Sequence, residues 1–259
     1  MQKGEPHAAS GLQDDAWLSA VCGYPCFRAA GDLARNPASA IAGALAALNG
    51  SGRAFAYAKL STREVAACTR LVRSGFAVVD TAITLEWQRA ADLPGWDAGQ
   101  SSVSCAGPGD AEAVGSIAAT CFKVSRFHLD PLFPDSLAGK IKREWSINSC
   151  RGLRGAGVYV ARIDGRIVGF LAVVLSGSEG AQTAVIDLIG VAPDHQGRGI
   201  GRGLVAAFIA EWSLLSKRLQ VGTQAANIAS LRFYEACGFR ICQSNFVLHA
   251  HVQNGEVLC

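Results

Sequence analysis

Between positions 196 and 203 the chain reads Gln196, Gly197, Arg198, Gly199, Ile200, Gly201, Arg202 and Gly203, with glycine at every second position. An apolar run, 185–191, precedes this segment. After it Leu204, Val205, Phe208, Ile209, Trp212 and Leu215 recur at the spacing of one helix face. A strand, a glycine-rich turn and an amphipathic helix in that order constrain the fold more than any other feature. Glycine adopts positive φ and lets other atoms approach the backbone closely. Successive N–H groups in such a turn can then point at an anion held at a helix N-terminus. The Walker loop is excluded, because no Lys stands here before Ser or Thr. The dinucleotide fingerprint also fails: the spacing does not satisfy Gly-x-Gly-x-x-Gly, and the loop lies late in the chain.

The flanking segments set the architecture. Residues 158–174 form two strand-like runs joined at Asp164 and Gly165, a strong hairpin signal. Residues 219–227 read as a strand leading to a helix over 230–237, stopped by Gly238 and Phe239. Turn formers over 93–102, then Pro108 and Gly109, mark a boundary; a short strand over 103–106 and a helix over 111–122 capped by Asp110 are expected beyond it. Two domains follow, 1–95 and 96–259. The first repeats the end of the second at an offset of 163, with a strand over 53–59, a helix over 62–73, Gly75 and Phe76, then a strand over 77–85. In that register Leu71 stands where the second copy has Tyr234, and no glycine loop precedes it.

Half of the 259 residues are apolar, ample for a core. The polar start does not read as a signal peptide, and residues 38–48 are too short to span a bilayer, so a cytoplasmic protein with no membrane span is expected. Nine cysteines without CxxC pairs indicate buried thiols and neither a disulfide framework nor a zinc site. His249 and His251 alternate on an expected terminal strand, where such residues more often face solvent, so no metal is expected. The net charge of +3, without basic clusters interleaved with aromatics, argues against a nucleic-acid partner.

The loop from Gln196 to Gly201, the exit from Ile189, Gly190 and Val191 to Pro193, and Asn227 followed by Phe233, Tyr234, Glu235, Gly238 and Phe239 together resemble the GCN5-related N-acetyltransferase (GNAT) superfamily. The resemblance covers roughly the last 150 residues. It implies an α/β (α+β) fold, a mixed central sheet flanked by helices, with a degenerate GNAT-like N-terminal half. It implies acetyl-CoA as co-substrate, with Gln196, Gly197, Arg198, Gly199, Ile200, Gly201 and Arg202 around the pyrophosphate. Ile189, Gly190 and Val191 lie on a fourth strand that splays from the fifth, Asn227 on the pantetheine arm, and Tyr234 at the position of a general acid. Ser125, Arg126 and Phe127, followed by Trp145 and Asn148, are similar to the dTDP-fucosamine N-acetyltransferase group, which acetylates the amine of a nucleotide-linked sugar. That resemblance makes Arg126 a candidate for acceptor phosphates and His128 and Asp130 candidates for contacting or deprotonating the amine, with Glu144 a further possible base. A protein N-terminus or a small-molecule amine is the alternative acceptor, and a non-catalytic acyl-CoA-binding module the alternative class. The tail 246–259 could pair across a homodimer.

Overall fold

The computed structural model describes residues 11–30, 32–48, 52–88, 101–178 and 181–258. The chain divides into two compact units that are interleaved in sequence. One gathers residues up to 82, the segment Arg126–Pro134 and everything from Ser244 on; the other holds Ile83–Ser125 and Asp135–Gln243. The boundary expected at 95/96 lies outside the described residues.

The first unit contains β1 (Leu12–Asp14), α1 (Ala16–Cys22), β2 (Cys26–Ala29), α2 (Ala38–Ala46), β3 (Arg53–Ser61) and α3 (Val65–Arg73). β4 (Ala77–Trp87) begins in it and ends in the second unit. β2 is antiparallel to β1 and parallel to β3. Along β3 the alternation of a strand separates two faces. Ala54, Ala56, Ala58 and Leu60 meet Ile41, Leu45, Leu71 and Phe76 in one apolar core. α3 starts three residues later than its apolar pattern suggests, because Thr62 is held in the strand's exit by Ser244: its N–H donates to Ser244 O at 3.2 Å and the two hydroxyls lie 2.7 Å apart.

The second unit holds β5 (Ser102–Cys105), α4 (Ala111–Cys121), α5 (Asp135–Cys150), β6 (Gly157–Ile163), β7 (Arg166–Ser176), β8 (Thr183–Val191), α6 (Ile200–Leu215), β9 (Arg218–Gln224) and α7 (Ile228–Ala236). β10 (Phe239–Gln253) runs from it into the first unit, and β11 (Glu256–Leu258) closes the chain. The hairpin expected at Asp164 and Gly165 is present: both residues have positive φ, 48° and 76°, as a two-residue turn between twisted strands requires. From β5 to β8 each strand is antiparallel to the next, and β9 joins β8 in parallel. α6 packs Leu204, Val205, Phe208 and Ile209 on one side of this sheet, whereas α4 and α5 cover the other with Val114, Ala118 and Ile147. Leu215, expected on the buried stripe, is exposed one turn beyond its end. Asp110 stands at the N-cap of α4 as expected, but its side chain makes no capping bond; its carboxylate accepts the Gly107 N–H at 2.9 Å and an Arg162 N–H at 2.8 Å.

The repeat at an offset of 163 is borne by the elements themselves. α3 spans residues 65 to 73 and α7 spans 228 to 236, the same bounds after that shift, and Gly75 and Gly238 behind them both have positive φ. The tail considered for a dimer is paired within the chain: β10 runs antiparallel to β3 from Asn245 to Gln253, and to β11 from His251 to Gln253.

Asp80, on the part of β4 in the first unit, is buried, and its Oδ2 has no hydrogen-bond partner among the described residues. Burial pushes its carboxyl up to about 6, more than the Thr81 N–H, Lys59 and Arg126 offset. The native state therefore carries a costly charge above pH 6 that is relieved as pH falls toward the unfolded value of 3.8. Asp80→Asn is expected to raise the unfolding free energy by about 1–2 kcal/mol at pH 8 and by nothing below pH 4, measured by urea denaturation of the full chain. A loss of stability at pH 8 would contradict this assignment.

Candidate functional site

The parallel pairing of β8 with β9 runs from Thr183 with Arg218 to Ile186 with Val221 and stops there, although both strands continue. At the same level the β7–β8 register slips, with Ala172 opposite Leu188 and Val173 opposite Ile186, so Asp187 is the extra residue of a bulge. A bulge bends its strand and increases the twist. Past that point the two strands part, as the superfamily resemblance implied, and a cavity of about 970 Å³ opens between them within the second unit.

The glycine loop forms part of the lining of this cavity. Gly197 and Gly199 have positive φ, 77° and 81°, and Gly199 caps α6 in the left-handed conformation; Gly201 and Gly203 are ordinary helical residues. Gly203 N–H bonds to Gly199 O at 3.1 Å, but among the described residues none accepts from the backbone N–H groups of residues 197–202. These donors sit at the N-terminus of a 16-residue helix, which favours negative charge. Gln196 Nε2 donates to Val191 O at 3.1 Å and ties the loop to the strand end. Gln196, Gly197, Gly199, Ile200, Gly201 and Arg202 all line the cavity, with Ile189, Gly190 and Val191 on its wall. Arg198 does not: its guanidinium is exposed and donates to Asp194 O at 3.0 Å. Gly190 is a glycine for packing, since a Cβ there would meet Cys121 Sγ at 2.5 Å.

α7 supplies further lining residues. Asn227 caps this helix, its Oδ1 accepting the Ser230 N–H at 3.2 Å, while its residue lines the cavity. Tyr234 lines the cavity too, is 4% exposed, and stands between the rings of Phe233 and Phe239. Burial, with Cys237 nearby, pushes its phenol above the usual range, so the hydroxyl keeps its proton. Lys142 and Asp187 also line the cavity. Asp187 is held by Trp145 Nε1 at 2.7 Å and by Arg154 through Nε at 2.9 Å and Nη2 at 3.2 Å, and Arg154 lies 4.5 Å over the Trp145 ring. Among the described residues Asp187 is the one carboxylate lining the cavity. It is not among the expected site residues, although a single acid inside the apolar run 185–191 was the available signal.

Residues 122–239 match the family model described as Acetyltransferase (GNAT) family. This stretch is a GNAT acetyltransferase domain. Over 143 residues, 55% of this chain and 48% of the relative, the sequence is 33% identical to the spore coat polysaccharide biosynthesis protein SpsD of Bacillus subtilis (strain 168). The chain thus spans about half the length of that curated relative. Among solved structures, a GCN5-related N-acetyltransferase from Kribbella flavida superposes with TM-score 0.57 at 16% identity, covering 92% of this chain and 86% of that one. A tandem GNAT protein from the clavulanic acid biosynthesis pathway gives 0.59 at 13%, covering 90% and 77%. A GNAT-family protein from Novosphingobium aromaticivorans DSM 12444 gives 0.53 at 18%, covering 88% and 83%. These likenesses establish the fold.

None of the residues expected at the acceptor is among those lining the cavity. Arg126, His128 and Asp130 belong to the segment Arg126–Pro134, which groups with the first unit. Arg126 is half-buried, its guanidinium 4.1 Å from the Tyr57 ring centroid and 4.5 Å from that of Phe127; Tyr57 OH donates to Asp15 Oδ2 at 2.9 Å. Asp130 is buried, with Oδ1 accepting the Leu132 N–H at 2.9 Å. Its Oδ2 lies 2.6 Å from His249 Nδ1 and 2.8 Å from His251 Nε2. Burial alone would raise the Asp130 pKa, but these donors hold it well below the carboxylate range, which makes it a poor base. His249 and His251 therefore face inward, where solvent exposure was expected, because the Arg126–Pro134 segment covers that face of β10. Burial pushes His249 down to about 4. Glu144 pairs with Arg143 at 2.8 Å and does not line the cavity. Among the described residues no helix is long and apolar enough to cross a membrane.

The loop geometry separates backbone from side-chain recognition. Gly199→Ala, which forces a Cβ onto φ 81°, is expected to weaken acetyl-CoA binding by about tenfold in calorimetric titration. Arg198→Ala should change it less than about threefold. The reverse order would show that Arg198, and not the loop amides, carries the anion.

Proposed function

We propose that this chain is an acetyl-CoA-dependent N-acetyltransferase acting on the amine of a nucleotide-linked amino sugar. The observation that carries the reading is the single cavity that joins unpaired loop amides at a helix N-terminus to the Tyr234 hydroxyl across the parted β8 and β9. Loop N–H groups of residues 197–202 would hold the pyrophosphate, and the Asn227 amide the pantetheine arm. The wall at Ile189, Gly190 and Val191 lies beyond the last β8–β9 pair, so its backbone donors on that side are available to the thioester carbonyl.

In this reading the neutral amine attacks the thioester carbon, a C–N bond forms, and the oxygen develops negative charge against the β8 backbone. Collapse breaks the C–S bond, and Tyr234 donates its proton to the departing thiolate. The amine's own proton leaves to water, because both oxygens of Asp187 are already engaged by Trp145 and Arg154. Fixing the two reactants in one cavity supplies much of the rate, because the thioester is already activated.

Support for the sugar acceptor comes from the likeness to a polysaccharide biosynthesis protein and from the Ser125, Arg126 and Phe127 block. The repeat of α3 by α7 and the likeness to a tandem GNAT protein support reading the N-terminal half as a degenerate second copy, with buried Leu71 where Tyr234 stands. The test is CoA release with a panel of dTDP- and UDP-linked amino sugars beside a peptide amine. Turnover with an amino sugar is expected; activity confined to the peptide would overturn the acceptor, and no CoA release with any amine would favour a binding module. Tyr234→Phe should lower kcat by more than about tenfold with little change in acetyl-CoA affinity. Unchanged turnover would remove the general acid.

A further inference from the structure

The Asp130, His249 and His251 cluster of the first unit takes no part in the chemistry above. All three side chains are buried, and one ligand atom from each lies within 4.8 Å of the others. His249 and His251 stand two apart on β10, so the pleat puts both imidazoles on one face. They converge on the same oxygen, Asp130 Oδ2, at 2.6 and 2.8 Å. The other carboxylate oxygen is fixed by the Leu132 N–H, which orients Oδ2 toward the two rings in the way a supporting hydrogen bond orients a metal ligand.

The rings of Phe55 and Phe133 wall the cluster, each within 6.0 Å of both imidazoles by centroid, and Phe127 stacks near His249 at 6.1 Å. We propose that Asp130, His249 and His251 bind one divalent first-row transition metal ion, with zinc the best match. Two imidazole nitrogens and one carboxylate oxygen are a borderline-soft set of the kind zinc takes. Metal bonds of about 2.1 Å at tetrahedral angles separate donor atoms by about 3.4 Å, so the present contacts must open by under about 1 Å. The protons have somewhere to go. Without an ion each ring places its proton on the nitrogen facing Asp130; with one, that proton moves to His249 Nε2 and His251 Nδ1. Among the described residues neither outward nitrogen has a hydrogen-bond partner, so no donor has to be displaced to protonate them. The ion would pin the Arg126–Pro134 segment to β10 and so hold Arg126 against Tyr57.

The test uses the full chain, stripped with a chelator and titrated with zinc chloride in a calorimeter, with bound metal counted by mass spectrometry. One zinc per chain is expected, with a rise in Tm. His251→Gln should weaken binding by about a hundredfold or more and abolish that rise, while replacing the exposed Cys105 and Cys242 by Ser should leave both unchanged. Uptake well below one ion per chain, or undiminished uptake in His251→Gln, would overturn the site. Acetyl-CoA binding by His251→Gln reports that the variant is folded. If it is not, cobalt decides on the unaltered chain: visible bands of a nitrogen and oxygen site without thiolate charge transfer support the assignment, and a thiolate band overturns it.

Discussion

The parting of β8 from β9 is the constraint on which the site depends. A parallel pair satisfies its backbone groups strand to strand, and had the pairing continued past Ile186 and Val221 no donor would be left for a ligand. The extra residue at Asp187 turns β8 away at that level. The opening is stable because both faces of β8 are held. Ala184 and Ile186 lie in the core under α6, and Leu188 lies in the core under α4 and α5. One bulge thus sets where backbone donors become available and puts a carboxylate on the lining of the same cavity.

The cavity gathers a protonated phenol, Lys142, Asp187 and, from the glycine loop, unpaired amides at a helix N-terminus. The loop achieves this with backbone alone, which explains why its glycines are of two kinds. Gly197 and Gly199 supply a conformation that side chains resist, whereas Gly201 and Gly203 continue the helix. Arg198 and Arg202 are equivalent in the sequence pattern, yet only Arg202 lines the cavity.

Much of this was legible because it is local. The Asp164 and Gly165 turn, the glycine loop, the α6 stripe and the α7 cap at Asn227 each follow from a few consecutive residues, and the offset of 163 recovers α3 and α7 at matching bounds. What escaped is long-range. His249 and His251 read as solvent-facing because nothing near them in sequence shows that residues 126–134 cover their side of β10. Asp130 read as a base because its two imidazole partners lie more than a hundred positions away. The place of Asp187 is not legible in the sequence, because a bulge is a property of two strands and not of one.

The central claim is that backbone amides at the head of α6 recognise a pyrophosphate, and comparing acetyl-CoA with S-acetylpantetheine tests it most directly. Both carry the thioester and the pantetheine arm, and only the first carries the anion. Calorimetric titration of the full chain should give one acetyl-CoA per chain, with S-acetylpantetheine binding weaker by about a hundredfold or more. Equal affinity for the two would contradict the account, because the glycine loop would then have no anion to hold.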